Sequence, residues 1–327
     1  MENTKNKSRL FKNPIFITLA AIFCCALWGS ATPFIKLGYQ YLMPTKDVPS
    51  TLLFAGIRFT MAGILTIVIY SVARRRVLLP KRENLYRIGI LSCFQTVLQY
   101  LFFYVGLANT TGVKGTIASG SSTFFAIIIS ALIFRQEKLT AKKMLACVLG
   151  FAGIVAVNFS GLFGDGAPIF SMNFLGDGFV IISAIANGFS AVFIRRFSKH
   201  EDAVVLSGYQ FILGGLVMCA VGAVCGGKLD FSDVRGLLVL LYLAFLSAVA
   251  YSLWGVLLKH NNVSKITIFS FTTPVFGVLL TELLLSEDST VKPLYLIIAL
   301  VLVCAGILTL NLKIERKQAD ADGKSPR

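Results

Sequence analysis

The sequence predicts an all-α, polytopic membrane protein in which ten transmembrane helices form two inverted five-helix repeats. Three observations support this prediction. The 327-residue chain is 56% hydrophobic and only 14% charged, with a mean hydropathy of +0.76, far above the range of soluble globular domains. Its Lys and Arg residues concentrate in alternate connecting segments. Its two halves also share a series of matching landmarks.

Ten apolar stretches approach the roughly 20 helical residues needed to cross about 30 Å of hydrocarbon. They cover residues 15–36, 51–72, 87–107, 112–134, 143–159, 174–195, 203–225, 236–258, 264–286 and 293–312. The first stretch follows basic residues and could be read as a cleavable secretory signal. Its cleavage zone would contain Trp28 and Pro33, however, and nine further spans follow. We therefore expect a first transmembrane helix.

The distribution of positive charge predicts how the chain is oriented. Of 31 Lys and Arg residues, 24 fall in the alternating segments that include both chain ends, and Arg58 falls within a span. Asp and Glu show no such bias. This is the positive-inside pattern, and it predicts cytoplasmic N- and C-termini in a multi-pass protein of the cell membrane. The net charge of +15 is thereby explained without nucleic-acid binding.

The seven cysteines all fall in or at the ends of spans, and none shows CxxC spacing. We interpret them as small packing residues, which are neither disulfide partners nor metal ligands. The sequence gives no indication of a metal or a cofactor.

The two halves repeat the same sequence landmarks. "GIVAVNF" (153–159) matches "GILTLNL" (306–312), and "EKLTAKK" (137–143) matches "EDSTVKP" (287–293). The predicted organisation is a cytoplasmic tail (1–14), a first repeat (15–159), an extracytoplasmic linker (160–173), a second repeat (174–312) and a second cytoplasmic tail (313–327).

Single residues match as well, and five spans per repeat is an odd number. The matched pairs are Gly29 with Gly188, Lys36 with Arg195, Tyr100 with Tyr251, Thr123 with Thr273, and Arg58 with Gln210. An odd number of spans inserts the second copy upside down relative to the first. Inverted repeats of this kind are a transporter architecture, because two opposed copies can exchange conformations around a central site.

Taken together, these segments resemble the drug/metabolite transporter superfamily and, within it, the EamA type. The resemblance covers nearly the whole chain. It is carried by "LWGSATPFIK" (27–36), "AGIRFTMAGIL" (55–65), "FRQEKLT" (134–140), "GFAGIVAV" (150–157), "GDGFVIISAIANGFSAVFIRR" (176–196) and "TTPVFGVLLTELLLSE" (272–287). Two positions depart from the family pattern: Phe124, where members often carry Pro, and Glu282, where they usually carry a small or apolar residue.

The resemblance implies ten helices around a central cavity and secondary transport, commonly export, of amino acids, related metabolites or drug-like compounds. Span one contains no acid, so it lacks the membrane glutamate that couples protons in the small multidrug relatives. The resemblance also favours a cavity-lining role for Trp28, Gly29 and Ser30, although helix packing and an interfacial position of Trp28 are alternatives.

Pro33 and Pro274 are the candidate helix-break or gating residues. A proline has no N–H, so Pro33 frees the carbonyl of Gly29 and Pro274 frees that of Ser270. Irregular backbone is tolerated in a membrane only where protein or a watery cavity surrounds it. We therefore expect both breaks to lie beside a cavity.

Polar and aromatic side chains within the spans are the other cavity candidates. They are Gln95, Gln99, Tyr100, Tyr104, Ser121, Ser122, Asn187, Gln210, Tyr251, Trp254 and Thr273. The hydroxyl groups can instead bond to carbonyls of their own helix, which would make them packing residues. Amides and aromatic rings around a mostly apolar cavity suit an amphipathic, neutral or zwitterionic solute.

Two charges within spans need a separate account, because each costs about 2.5–3.5 kcal/mol at mid-bilayer on insertion scales. Arg58 could snorkel to the surface, make a structural hydrogen bond or contact a substrate carboxylate. Glu282 could be solvated at the cavity mouth or carry a coupling proton.

The sequence therefore predicts a secondary active transporter, with export as the expected direction, that moves small amphipathic metabolites by alternating access. A facilitative, channel-like uniporter or an exchanger without ion coupling is the alternative. An enzyme is not expected, since both histidines lie in loops and no HExxH or GxSxG motif occurs. A pump would need GxxxxGK[ST], which is absent. The expected partners are a small-molecule substrate and membrane lipid, with the protein as a monomer or homodimer.

Overall fold

The computed structural model describes residues 11–45, 47–110, 112–159, 173–285 and 293–311. Within these residues the chain is helical apart from short connections, and it contains no strand. The predicted all-α fold is confirmed. The predicted tails 1–14 and 313–327 and the predicted linker 160–173 lie mostly or wholly outside the described residues.

The described residues of each half form five helical segments. In the first half these are α1 (Pro14–Leu42), α2 (Val48–Ala73), α3 (Arg82–Ala108), α4 (112–133) and α5 (Ala141–Val157). In the second half they are α6 (Phe174–Phe197), α7 (Ala203–Val224), α8 (Val234–His260), α9 (263–285) and α10 (Pro293–Asn311).

Eight of these segments in the described part of the chain are long and apolar enough to cross a membrane. A multi-pass membrane protein is thereby confirmed. The other two, α5 and α10, fall outside that group, so the count of ten spans stays a prediction.

Polar residues at the helix starts explain where the long helices begin. Asn13, Asp47, Thr140, Asp202 and Asp233 each accept a hydrogen bond from a backbone N–H in the first turn of the helix that follows. The first N–H groups of a helix have no partner within it, so a short polar side chain there satisfies one of them.

Four helices depart from regular α-helical geometry, among them α6, which begins with a π-helical stretch at Phe174–Gly178. A π-helical stretch occurs in α3 at Cys93–Leu98 and another in α4 at Ile129–Ile133, and α9 passes through a 3₁₀ stretch at Ile268–Thr272 just before Pro274. Irregular backbone thus lies next to Pro274. By contrast, α1 stays helical through Pro33.

The packing of helices relates the two halves to each other. α2 packs on α7, α5 packs on α10, α1 packs on α8 and α9, and α6 packs on α3 and α4. Exchange each helix of the first half with its counterpart in the second, α1 with α6 through α5 with α10. The α2–α7 and α5–α10 pairs are then unchanged, and the pairs of α1 with α8 and α9 become the pairs of α6 with α3 and α4. The two halves are therefore interlocked in a two-fold arrangement.

Two glycines at matched positions allow close approaches in this arrangement. A Cβ atom on Gly29 of α1 would lie 2.5 Å from Cβ of Phe276 in α9, and one on Gly188 of α6 would lie 2.9 Å from Cβ of Phe125 in α4. Real Cβ atoms do not approach so closely. These positions thus require glycine for helix contact, which accounts for Gly29 by packing.

Polar contacts also recur at matched positions. The thiol of Cys24 in α1 donates to the carbonyl oxygen of Ala250 in α8 at 3.5 Å, and the hydroxyl of Ser183 in α6 donates to that of Gln99 in α3 at 2.6 Å. Cys24 and Ser183 are 159 residues apart, the same offset that relates Gly29 to Gly188. The two-fold relation therefore extends to individual hydrogen bonds.

Candidate functional site

A cavity of about 610 Å³ lies between the two halves. Side chains from α1, α3, α4, α6, α8 and α9 form most of its wall, with Arg58 from α2 and Ile154 from α5. This volume is within the usual range for small-molecule sites, about 300–1,000 Å³.

One end of the cavity is open and the other is closed. Thr32 and Lys36, near the end of α1, line the open end and are exposed. Leu258 and Thr267, at the junction of α8 and α9, line the other end and are only 1% and 5% exposed. A solute could therefore enter from one side only in this conformation.

Aromatic rings form one wall of the cavity. The ring of Trp28 makes edge-to-face contacts with Tyr251 and Trp254, at centroid distances of 5.0 and 4.9 Å. Tyr251 also shares a hydrogen bond with Tyr100, whose hydroxyl oxygen lies 2.7 Å from its own. Tyr104 lines the cavity next to Tyr100. Flat apolar surfaces held in this way suit a planar or hydrophobic solute.

Four residues of the lining contain a buried polar atom that has no hydrogen-bond partner in the described part of the chain. Trp28 Nε1, Gln95 Oε1, Gln99 Oε1 and Thr273 Oγ1 are buried, and within the described residues none of them has a hydrogen-bond partner. All four residues line the cavity. A buried polar group without a partner costs about 1–3 kcal/mol, so a bound solute that satisfies these atoms would gain affinity.

The π-helical stretch at Cys93–Leu98 contains Gln95 and ends one residue before Gln99. A π-helical turn inserts an extra residue and rotates the helix faces that follow, and such turns occur frequently at functional sites. Asn187 of α6 and Ser122 of α4 also line the cavity, together with Pro274.

Arg58 lies within the protein and does not reach a surface. Its side chain is 3% exposed, and its Nη2 and Nε atoms donate to Ser247 Oγ at 3.0 and 3.3 Å. Its guanidinium carbon also lies 4.9 Å from the centre of the Phe59 ring. Of the alternatives for Arg58, snorkelling is wrong and a structural hydrogen bond is present. Because Arg58 lines the cavity as well, contact with a solute stays open.

Five predicted residues lie outside the cavity lining: Gly29, Ser30, Pro33, Ser121 and Gln210. Ser30 donates to Leu27 O and shares a hydrogen bond with Tyr242, while Ser121 donates to Ala118 O. These hydroxyl groups are therefore satisfied by packing.

Gln210 differs from these residues because its contact is the counterpart of the Arg58 contact. Thr96 donates to Gln210 Oε1 at 2.6 Å, and Thr96 and Ser247 are separated by the same offset as Tyr100 and Tyr251. Gln210 is fully buried in α7, and no residue of α7 belongs to the lining. Glu282 lies outside the residues whose side chains the structure describes.

The structure adds lining residues that the sequence reasoning missed. They include Thr32, Lys36, Ser183, Ser190, Thr267 and Ser270. Lys36 had been noted in the sequence only as the match of Arg195. The other residues lie one or two helical turns from predicted cavity residues. Helical periodicity around Trp28 and Asn187 would have found Thr32, Ser183 and Ser190.

A polar group that we call the Glu137 cluster lies one helical turn beyond the lining residues Ala191 and Thr267 at the closed end: Gln136, Glu137, Lys143, Arg195, Asn262 and Ser264. Glu137 accepts hydrogen bonds from the hydroxyl and the backbone N–H of Ser264, at 2.6 and 3.1 Å, and from Lys143 Nζ at 2.9 Å. Arg195 Nη2 donates to Asn262 Oδ1 at 2.8 Å. The cluster thus joins the end of α4 and the start of α5 to the start of α9 and the end of α6.

Glu137 is charged in this arrangement. Burial by itself would raise the pKa of its carboxyl group, but the hydrogen bonds from Ser264 and Lys143 outweigh burial and hold the pKa below its ordinary value. The Lys143 and Glu137 side chains are 13% and 2% exposed, so solvent screens this ion pair less than a surface pair. No group of three or more potential metal ligands occurs among the described residues.

Comparison with known proteins gives one family. The model of the EamA-like transporter family matches residues 15–159 and 174–312. An uncharacterized transporter of Acidianus ambivalens is 30% identical over 241 residues, which cover 70% of this chain and 83% of that protein. The uncharacterized transporter YvbV of Bacillus subtilis is 23% identical over 315 residues, which cover 93% of this chain and 94% of YvbV.

Two further comparisons concern a plant protein and a solved structure. A chloroplastic WAT1-related protein of Arabidopsis thaliana is 25% identical over 270 residues, and the chain spans 63% of the length of that relative. A crystal structure at 19% sequence identity superposes with a TM-score of 0.70, covering 91% of this chain and 97% of its own. At that identity, the superposition shows a shared fold.

Proposed function

The chain belongs to the EamA-like transporter family, and from this membership we propose that it is a secondary active transporter that exports small amphipathic metabolites across the cell membrane. The resemblance drawn from the sequence is confirmed. The relatives from Acidianus ambivalens and Bacillus subtilis are both named transporters. Amino acids, related compounds and drug-like molecules are the proposed substrate range. The proposed assembly is a monomer or a homodimer in contact with lipid.

The cavity between the halves is the observation that carries this proposal. It is large enough for a metabolite, its lining is exposed at one end and buried at the other, and the Glu137 cluster joins the helices beyond the buried end. A channel would need a continuous path, whereas a carrier needs a site that reaches one side at a time. The open end corresponds to the extracytoplasmic side of the predicted topology.

Alternating access is the proposed mechanism, with residues 15–159 and 174–312 as inverted repeats joined by the linker 160–173. The exchangeable helix contacts support it, because two interlocked copies can swap their roles. Opening of the other side would separate α4 from α9 at the Glu137 cluster. The 3₁₀ stretch Ile268–Thr272 before Pro274 supplies irregular backbone in α9 that could absorb the change.

A specific observation favours the alternative of a uniporter or an exchanger without ion coupling. Among the described residues that line the cavity there is no Asp, Glu or His. Proton coupling at the site itself would need a group that titrates in the working pH range.

Reconstitution in liposomes tests both versions. We expect radiolabelled aromatic and aliphatic metabolites to exchange across the membrane of protein-containing liposomes and not of empty ones. Accumulation driven by an imposed proton gradient would establish ion coupling. Equilibration that ignores the gradient would establish the uniporter, and the absence of flux for every solute would contradict a transport function.

A further inference from the structure

Arg58 has hydrogen-bonding capacity that the protein leaves unused. Its Nε and Nη2 donate to a single oxygen, Ser247 Oγ, which itself donates to Leu243 O at 2.8 Å. A guanidinium group carries five N–H donors, so about three of them have no partner among the described residues. They belong to a side chain that is 3% exposed and lines the cavity.

The charge of Arg58 is also uncompensated. The described residues contain no carboxylate within ion-pair distance of it, and the ring of Phe59 is its only aromatic neighbour at cation–π distance there. Buried charges are normally paired, because removal from water costs several kcal/mol per ion. Within the described part of the chain, Arg58 is therefore a buried cation without an anionic partner.

The remaining charge of the cavity has the same sign. Lys36 lines the open end, and the described lining residues include no Asp or Glu. A low-dielectric cleft lined by one sign of charge concentrates solutes of the opposite sign. Among the described lining residues, an ammonium group would meet the charge of Arg58 and no carboxylate.

The aromatic wall begins next to Arg58. Phe59 lies 4.5 Å from Tyr100 between ring centroids, Tyr100 hydrogen-bonds to Tyr251, and Tyr251 contacts Trp28. A flat ligand on this wall could direct one end toward Arg58. Gln95 and Gln99 line the same cavity, and their buried amide oxygens, which have no partner among the described residues, are available to accept a hydrogen bond from a hydroxyl or N–H group of the ligand.

We propose, on the basis of the transport function above, that the substrates are organic monoanions, in which a carboxylate pairs with Arg58 and a flat body lies on the wall formed by Trp28, Tyr100 and Tyr251. This replaces the neutral or zwitterionic solute that we predicted from the sequence with an anionic one. Arginine is suited to this role, since its planar fork binds a carboxylate through two parallel hydrogen bonds.

Four probes that share one body and differ in charge test the proposal. They are 3-(4-hydroxyphenyl)propanoate, its uncharged amide, the zwitterion tyrosine and the cation tyramine, each titrated against the purified full-length protein by calorimetry. We expect the anion to bind at least about ten-fold more tightly than the amide, since a charge-assisted hydrogen bond is worth about 1.5–3 kcal/mol and 1.4 kcal/mol is ten-fold. Tyramine should bind most weakly.

Variants assign the preference to Arg58. Arg58→Gln should weaken anion binding at least about ten-fold and leave the amide within about two-fold, whereas Arg58→Lys should retain part of the preference. Arg76→Gln removes one positive charge from an exposed loop position, and it should leave the affinities for the anion and for the amide unchanged. Size-exclusion profiles and melting temperatures show whether each variant folds. If Arg58→Gln does not fold, the affinities of Arg58→Lys and the ranking of the four probes on the wild type test the proposal instead.

Equal affinity for anion and amide, tighter binding of tyramine or tyrosine than of the anion, or failure of the anion to bind would overturn the proposal. The same probes, used as solutes in liposome flux, separate this failure from failure of the transport function. If the protein transports the amide or tyrosine as fast as the anion, only the proposed charge selectivity is refuted. Absence of flux for all four probes and for the wider metabolite set refutes transport.

Discussion

The hydroxyl groups of Tyr100 and Tyr251 lie 2.7 Å apart, and these two residues occupy matched positions in the two halves of the chain. When two equivalent residues touch, both must lie close to the axis that relates their halves. Tyr100 and Tyr251 both line the cavity, so that axis passes through or beside it. Their hydrogen bond thus reports directly on how the halves are placed relative to each other.

Removal of either hydroxyl group should therefore lower stability by a similar amount. We expect Tyr100→Phe and Tyr251→Phe each to cost about 1 kcal/mol, as for a typical buried hydrogen bond. The double variant should cost little more than a single one, because both substitutions remove the same bond. Melting temperatures of the purified proteins measure this cycle, and strictly additive losses would show that the two hydroxyl groups act independently.

A methyl group at Gly29 should disturb the contact between α1 and α9. We expect Gly29→Ala to destabilise the protein by about 1–3 kcal/mol, since its Cβ would lie 2.5 Å from Cβ of Phe276 and 2.9 Å from the backbone nitrogen of Gly277. Gly89→Ala is the matched control, because nothing lies within 4 Å of that position. Equal melting temperatures for the two variants would contradict the close approach.

Cysteine labelling should separate lining residues from packing residues. In a background with all seven native cysteines replaced, we expect Trp28→Cys and Gln99→Cys to react with a small polar thiol reagent. Gln210→Cys should be protected, because Gln210 is fully buried outside the lining. Rapid reaction at 210 in the absence of solute would mean that this conformation is not the resting one.

Loss of the Glu137 carboxylate should open the sealed end of the cavity. We expect Glu137→Gln to raise the labelling rate of a Thr267→Cys probe about ten-fold for a reagent added from the predicted cytoplasmic side, since removing one member of a buried ion pair destabilises the contact. Glu83→Gln, at an exposed position on the same predicted side, is the control and should leave the rate unchanged. An unchanged rate in Glu137→Gln would assign the closure to other contacts.

The same carboxylate predicts a pH dependence of stability. A pKa held below the ordinary value of 4.5 means that the folded protein favours the ionised form. The resulting stabilisation is complete above the unfolded-state pKa and is lost as pH falls through the lower folded-state value. The difference in melting temperature between wild type and Glu137→Gln should thus be constant above about pH 5 and shrink below it. A difference that grows on acidification would reverse the sign of the pKa shift.

The sequence predicted the helices well, and its errors at their ends have a physical cause. The first predicted span ended at Lys36, yet α1 continues to Leu42. Hydropathy detects where lipid contact ends, whereas a helix ends where its backbone hydrogen bonds end. α8 likewise extends two residues beyond both predicted ends, to Val234 and His260.

The candidate site was harder to predict, because most of these helices are surrounded by protein on several sides. A polar side chain in such a helix can face the cavity, as Gln99 does, or a neighbouring helix, as Gln210 does. Composition does not distinguish the two. The hydroxyl groups of Ser30 and Ser121 return to carbonyls of their own helix, an outcome that sequence spacing permits but does not require.

The π-helical stretch Cys93–Leu98 has no equivalent in α8, which is α-helical from Val234 to His260. In the alternating-access cycle proposed above, the two halves would therefore exchange conformations imperfectly, because the π-helical stretch always stays with the first half. The outward and inward forms then differ in energy even when no solute is bound. Under the proposed mechanism, the solute-free protein would thus populate one of the two forms more than the other.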